Sequence, residues 1–218
     1  MQLQDYWNIV AKRWWIILLV AVVAVVSAYV YSKSQQPIFR SSARLYVMPA
    51  RPDYGNVLFI SNVVRQYSQL IVTDRFLNAV NEKLNLDMPS QVLKTKVYTS
   101  GTADNLAVQI EVDHPDPAKA QDIVRALTQE FMEDQAMRMQ NVDRVNRIDV
   151  RMYDEPAPAV LVRPKTRVNV IAGGVLGFLL GAIIAFVLEY LDDTIKNSAD
   201  VERYVALPVV GNIPTITP

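Results

Sequence analysis

The sequence predicts an α+β domain held between two transmembrane α-helices. Residues 14–31 and 168–188 contain no Asp, Glu, Lys or Arg, and each run approaches the ~20 residues that span a bilayer core at a rise of about 1.5 Å per residue. Between them, residues 39–49 and 106–112 alternate apolar with polar side chains, whereas residues 56–84 and 116–144 repeat apolar side chains at helical spacing. Strand and helix signals in one intervening segment, bracketed by two spans, give the fold class.

The first run, "WWIILLVAVVAVVSAYVY", follows Lys12 and Arg13 and so resembles a secretion signal in position. It is longer than the ~7–15 residues of a signal core and lacks a small-residue cleavage site, which makes it a retained anchor. Trp14, Trp15, Tyr29 and Tyr31 stand at its two ends, where amphipathic rings favour the headgroup level. Residues 1–13 form the N-terminal tail, 14–31 the first span, 32–167 the intervening domain, 168–189 the second span and 190–218 the C-terminal tail.

Within the domain, Ala43, Leu45 and Val47 alternate with Arg44, Tyr46 and Met48, and Pro49 and Pro52 close this first strand. Ile60, Val63, Val64, Tyr67, Leu70 and Ile71 then form one helical face. Thr73 or Asp74 caps a second helix carrying Phe76, Leu77, Val80 and Leu84. Val97 leads through the turn-rich "SGTADN" into Leu106, Val108, Ile110 and Val112, which predicts a hairpin. Asp116 followed by Pro117 is an N-cap with proline in the first turn. The helix that follows buries Ala120, Ile123, Val124, Leu127 and Phe131 and runs to about residue 144, with Met137, Met139, Val142 and Val145 along it as core or subunit contact. A last strand, residues 148–153, precedes the proline-rich segment 155–165, "EPAPAVLVRPK", with Pro156, Pro158 and Pro164.

The chemistry available is narrow. There is no cysteine, so no thiolate nucleophile or Cys-ligated metal, and formal net charge is zero with no basic stripe for nucleic acid. The single histidine, His114, has no GxSxG elbow to serve; it reads as a solvated turn residue, with Asp113 and Asp116 as capping carboxylates rather than a metal corner. No GxxxxGK[ST] loop occurs, so the chain holds no P-loop phosphate cradle. Asp192 and Asp193 mark the membrane edge. These features predict a non-enzyme without metal or cofactor.

The second span carries Gly173, Gly177 and Gly181 at every fourth residue, and the first carries Ala21, Ala24 and Ala28. Small residues at this spacing let helix backbones approach closely in lipid, and the two faces are expected to pack, within a subunit or between neighbours. Topology is not settled by charge: Lys12 and Arg13 place the N-terminus in the cytoplasm, while Lys33, Arg40, Arg44, Arg163, Lys165 and Arg167 argue the reverse across a loop too long for the rule to bind.

In this order, "RQYSQLIVTDRFLNAVNEKLNL", "VQIEVDHPDPAKAQDIVRALTQEF", "EPAPAVLVRPKTRVNVIAGGVLG" and "EYLDDTIKNSADVERYVALPVVGNIP" resemble the Wzz-type chain-length determinant family, the polysaccharide co-polymerases, over almost the whole chain. The resemblance implies an extracytoplasmic domain, both termini in the cytoplasm, a bacterial plasma-membrane location and a ring-like homo-oligomer. Its implied role is control of the chain length and export of O-antigen, capsule or exopolysaccharide beside a polysaccharide polymerase, in contact with the growing polysaccharide.

Two departures matter. Residues 32–167 are too few for the long projecting helices of the larger members, and the chain stops soon after Pro214 where fused members continue into a tyrosine kinase. Either it is the membrane partner of a separate cytoplasmic tyrosine kinase, or it is a shortened fused protein. In the first case Asp200, Val201 and Glu202, in a short helix, and Leu207, Pro208, Gly211, Ile213 and Pro214, in an extended stretch, make the tail a kinase-docking element. The competing reading is a membrane-anchored sensor or adaptor with an extracytoplasmic ligand-binding domain.

Overall fold

The computed structural model describes residues 3–50, 54–102 and 105–191. The chain divides into two compact units, one of residues 32–166 and one combining residues 1–31 with 167–218.

The first unit is built on a sheet. β1 (Ile38–Pro49) is its central strand, pairing antiparallel with β3 (Ala107–His114) along one edge. Along the other edge it pairs with β4 (Ile148–Arg151) near its end and β5 (Val160–Arg163) near its start. β2 (Val97–Thr102) pairs antiparallel with β3 to complete the expected hairpin. The register puts Ala43 opposite Ile110, Leu45 opposite Val108 and Ser41 opposite Val112, so these side chains share one face. Leu45, Val108, Ile110 and Val112 are fully buried there.

Helices cover that face. α2 (Tyr54–Ile71) contributes Ile60, Val63, Val64, Tyr67 and Ile71, α3 (Asp74–Leu84) contributes Phe76, Leu77 and Val80, and α5 (Pro117–Met139) contributes Ile123, Val124, Leu127 and Phe131. Phe131 lies edge-on to Tyr67 at 5.3 Å and beside Phe76 at 5.7 Å, joining the three helices in one core. Gly101 is where β2 meets α2: a Cβ there would stand 2.9 Å from Val64 Cγ1 and 3.1 Å from the Val64 carbonyl oxygen.

Several local expectations are revised. The short helix α4 (Ser90–Lys96) and strand β5 were not foreseen, the one starting after Pro89 and the other inside the proline-rich segment. α5 ends at Met139 rather than near 144, the chain continuing through turns, and Met137 is 60% exposed rather than core. Thr73 occupies the N-cap position of α3, but its hydroxyl donates back to the Leu70 carbonyl at 2.7 Å instead of accepting from the helix. Asp116 does cap α5, accepting from Ala118 N–H at 2.9 Å. His114 is buried, not solvated. Its Nδ1 accepts the Asp116 N–H at 2.9 Å, and burial lowers its pKa below the ordinary histidine value against an opposing contribution from the Asp116 backbone.

The second unit contains α1 (Leu3–Ser34, through residue 31) and α6 (Thr166–Tyr190, from residue 167). Residues 10–34 and 166–190 are long and apolar enough to cross a membrane. α1 starts well before its apolar run and carries a kink at Arg13, whose φ of −114° and ψ of 18° are non-helical.

Candidate functional site

Helix pairing, the open face of the sheet and the proline-rich strap are the three places where side chains do more than fill a core. The C-terminal tail, with Asp200, Val201, Glu202, Leu207, Pro208, Gly211, Ile213 and Pro214, lies outside the described residues.

In the helical unit, Gly173, Gly177 and Gly181 stand against α1. A Cβ on Gly173 would lie 2.7 Å from Ala28 Cβ, one on Gly177 2.5 Å from Ala24 Cβ and 2.9 Å from Ala21 Cα, and one on Gly181 2.8 Å from Ile17 Cα. Neither helix leaves room for a methyl group at these points. Ile17, which sequence reasoning did not single out, supplies the last contact through its backbone.

A charge cluster closes one end of this pair. Arg13 Nε donates to Glu189 Oε2 at 2.7 Å, Arg13 Nη2 donates to the Leu188 carbonyl at 3.2 Å, and Lys12 Nζ is 3.3 Å from the same carboxylate. Glu189 thus meets both cations, and the Leu188 carbonyl in the last turn of α6 gains a donor. Lys12 and Arg13 were read from sequence only as topology charges. The signal for their second role was Glu189, placed directly after the uncharged run.

On the sheet, the face turned away from the helices carries Arg40, Ser42, Arg44 and Tyr46 from β1 and Ala107, Gln109, Glu111 and Asp113 from β3, in register. Arg40 is committed to two carboxylates: Nε and Nη2 hold Asp113 at 2.5 and 2.8 Å, Nη1 holds Glu111 at 2.7 Å, and the guanidinium lies 5.1 Å from the Tyr98 ring centroid. The hydrogen bond to Asp113, with both carboxylate charges, raises its pKa against the opposing effect of burial. Gln109 Nε2 donates to Glu111 Oε1 at 2.7 Å, extending the chain of bonds.

The proline-rich segment is bound along β1. Ala157 N–H donates to the Ser42 carbonyl at 2.8 Å, Ser41 Oγ donates to the Ala157 carbonyl at 2.7 Å, and Gln121 Nε2 donates to the Pro156 carbonyl at 3.0 Å. Pro156 is buried and Pro158 exposed, while Pro164 is half-buried beyond β5. Proline suits this run because it needs no N–H of its own where the backbone is held by neighbours' donors.

Among the described residues no group of three or more His, Asp or Glu side chains gathers as a metal site. Asp113 is held by Arg40 and His114 by the Asp116 backbone.

Residues 1–84 match the family model described as Wzz, chain length determinant protein. The probable capsular polysaccharide biosynthesis protein YwqC of Bacillus subtilis is 28% identical over 98% of this chain and 88% of its own length. Capsular polysaccharide biosynthesis protein CpsC of Streptococcus pneumoniae is 28% identical over 94% and 90%, and CapA of Staphylococcus aureus is 25% identical over 73% and 70%. A solved full-length bacterial polysaccharide co-polymerase superposes with a TM-score of 0.49 at 12% identity, over 90% of this chain and all of that one. The chain is thus similar to the Wzz chain length determinant family model through its first 84 residues and to capsular polysaccharide biosynthesis proteins over nearly its whole length.

Proposed function

We propose that this chain is a polysaccharide co-polymerase that regulates the chain length and export of a cell-surface polysaccharide without itself forming glycosidic bonds. The observation that carries the reading is the similarity, end to end, to proteins described as acting in capsular polysaccharide biosynthesis. Two helices apolar and long enough to cross a membrane, one before and one after the sheet domain in the sequence, support a membrane protein; as proposed, residues 32–167 lie outside the plasma membrane and both termini in the cytoplasm. The close-packed glycine face of α6 is taken up by α1 of the same chain and supports a paired helical anchor; to this we add a ring of identical subunits beside a polymerase, in which many copies would add weak polymer contacts into avidity.

In this reading the tail beyond residue 191 docks on and activates a bacterial tyrosine kinase. Two measurements test the pair of claims. Deleting the gene should change the length distribution of the surface polymer on a gel; an unchanged distribution rejects the co-polymerase role and favours a sensor or adaptor. Full-length protein should raise autophosphorylation of the partner kinase in vitro and protein lacking residues 192–218 should not. Equal stimulation by both would reject tail docking.

A further inference from the structure

The open sheet face contains two arginines four residues apart on the same strand, and they are treated differently. Arg40 spends its donors on Asp113 and Glu111. Arg44 is exposed, and among the described residues its side chain meets no carboxylate and makes no hydrogen bond. A guanidinium left bare on this surface is available to an incoming anion, and its planar fork suits a carboxylate in particular.

Its surroundings are specific as well. Arg44 lines a polar concavity of about 220 Å³ with Tyr46, Asn105, Ala107 and Gln109. The hollow follows from the pairing register: Ala107, the smallest side chain on this face, stands opposite Tyr46, and Gln109 stands opposite Arg44. The Asn105 amide makes no hydrogen bond among the described residues, and Gln109 has its amide nitrogen committed to Glu111, so its oxygen is the remaining acceptor. Tyr46 is braced edge-on by the exposed Tyr153 at 5.4 Å. One cation, amide groups for hydroxyls and a braced aromatic ring for an apolar C–H face are the complement of an acidic sugar.

The geometry points to a subsite for a uronic acid residue of a polysaccharide chain, with Arg44 on its carboxylate, Asn105 and Gln109 on its hydroxyls and Tyr46 against its ring. This rests on the polysaccharide reading above and adds the sugar class and the surface. Neutral sugars lack the group that Arg44 would hold, and a polymer presents the unit repeatedly, so weak binding at one subsite suffices.

The test uses the full chain in detergent micelles with hyaluronan oligosaccharides, which alternate glucuronate with an N-acetyl sugar, and dextran oligosaccharides as the neutral control. Affinity is followed by NMR saturation transfer. Hyaluronan should bind and dextran should bind more weakly. Arg44→Gln should weaken hyaluronan binding at least about tenfold, the scale of one charge-assisted contact, while Arg65→Gln, which removes an exposed arginine on α2, should leave it unchanged. Equal binding by Arg44→Gln and the parent overturns the subsite, as does an equal loss in Arg65→Gln, which would mean charge alone. Competition by inorganic phosphate at equal concentration would mean a general anion site. A changed sedimentation coefficient in Arg44→Gln would mean that the face meets a second copy of the chain. If gene deletion leaves polymer length unaltered while Arg44→Gln still loses hyaluronan, the co-polymerase reading fails and the subsite stands. The reverse pattern rejects the subsite alone.

Discussion

Arg13 and Glu189, 176 residues apart in sequence, meet at 2.7 Å where the two apolar helices come together. Both side chains are largely covered, at 17% and 22% exposure, and Arg13 sits at the one non-helical step inside α1. The pair is thus less screened by solvent than a surface ion pair, and the kink coincides with the residue whose side chain reaches the partner helix. A double-mutant cycle with Arg13→Ala and Glu189→Ala should give a coupling of about 1 to 2 kcal/mol, between exposed and buried pairs, read from thermal unfolding in detergent. Additive effects would mean that the contact holds nothing.

Gly177 and Gly174 make a controlled comparison. A Cβ at 177 would collide with the Cβ of Ala24 and the backbone of Ala21, whereas one at 174 would touch only Val25 Cγ2 at 3.3 Å, the tip of a movable side chain. Gly177→Ala should cost about 1 to 3 kcal/mol as overpacking, and Gly177→Ile should loosen the assembly further on native gels. Gly174→Ala should be close to neutral in the same assay.

Removing Arg40 should uncover a cost rather than merely delete a bond. Asp113 is buried at 8% exposure and its carboxylate has both oxygens on the guanidinium. Arg40→Ala should destabilise by about 2 to 3 kcal/mol in denaturant unfolding, and Arg40→Lys should recover only part, because a point charge cannot satisfy Asp113 and Glu111 together.

His114 should make the protein acid-sensitive over a defined range. Burial lowers its folded pKa below the unfolded value of about 6.5. The unfolded chain then binds the proton more readily, so this contribution to stability is complete above about pH 6.5 and is lost as pH falls through the lowered folded value. Thermal midpoints should drop from pH 7.5 to pH 5, and His114→Gln should flatten that part of the profile. An identical slope in the variant would assign the acid sensitivity to other groups.

What was legible in the chain was its local grammar. Alternation at Ala43, Leu45 and Val47 marked the central strand, helical spacing at Phe76, Leu77 and Val80 marked α3, and Asp116 with Pro117 marked the start of α5. β5 was not legible, because four residues inside a proline-rich run carry too short a pattern, and they become a strand only by lying beside β1. α4 was missed for the same reason of length.

The sequence by itself determined where the longer helices and strands lie, which stretches are apolar enough for a membrane, and which small residues sit in a row, since each of these is a property of near neighbours along the chain. Only the tertiary structure decided that Arg40 is paired while Arg44 is bare, that Glu189 belongs to Arg13, and that Ala107 opens a hollow beside Tyr46. Those outcomes depend on how distant segments meet: moving β1 by a single residue would turn Arg40, Arg44 and Tyr46 to the other face, and the Arg13–Glu189 contact exists only because α1 and α6 pair.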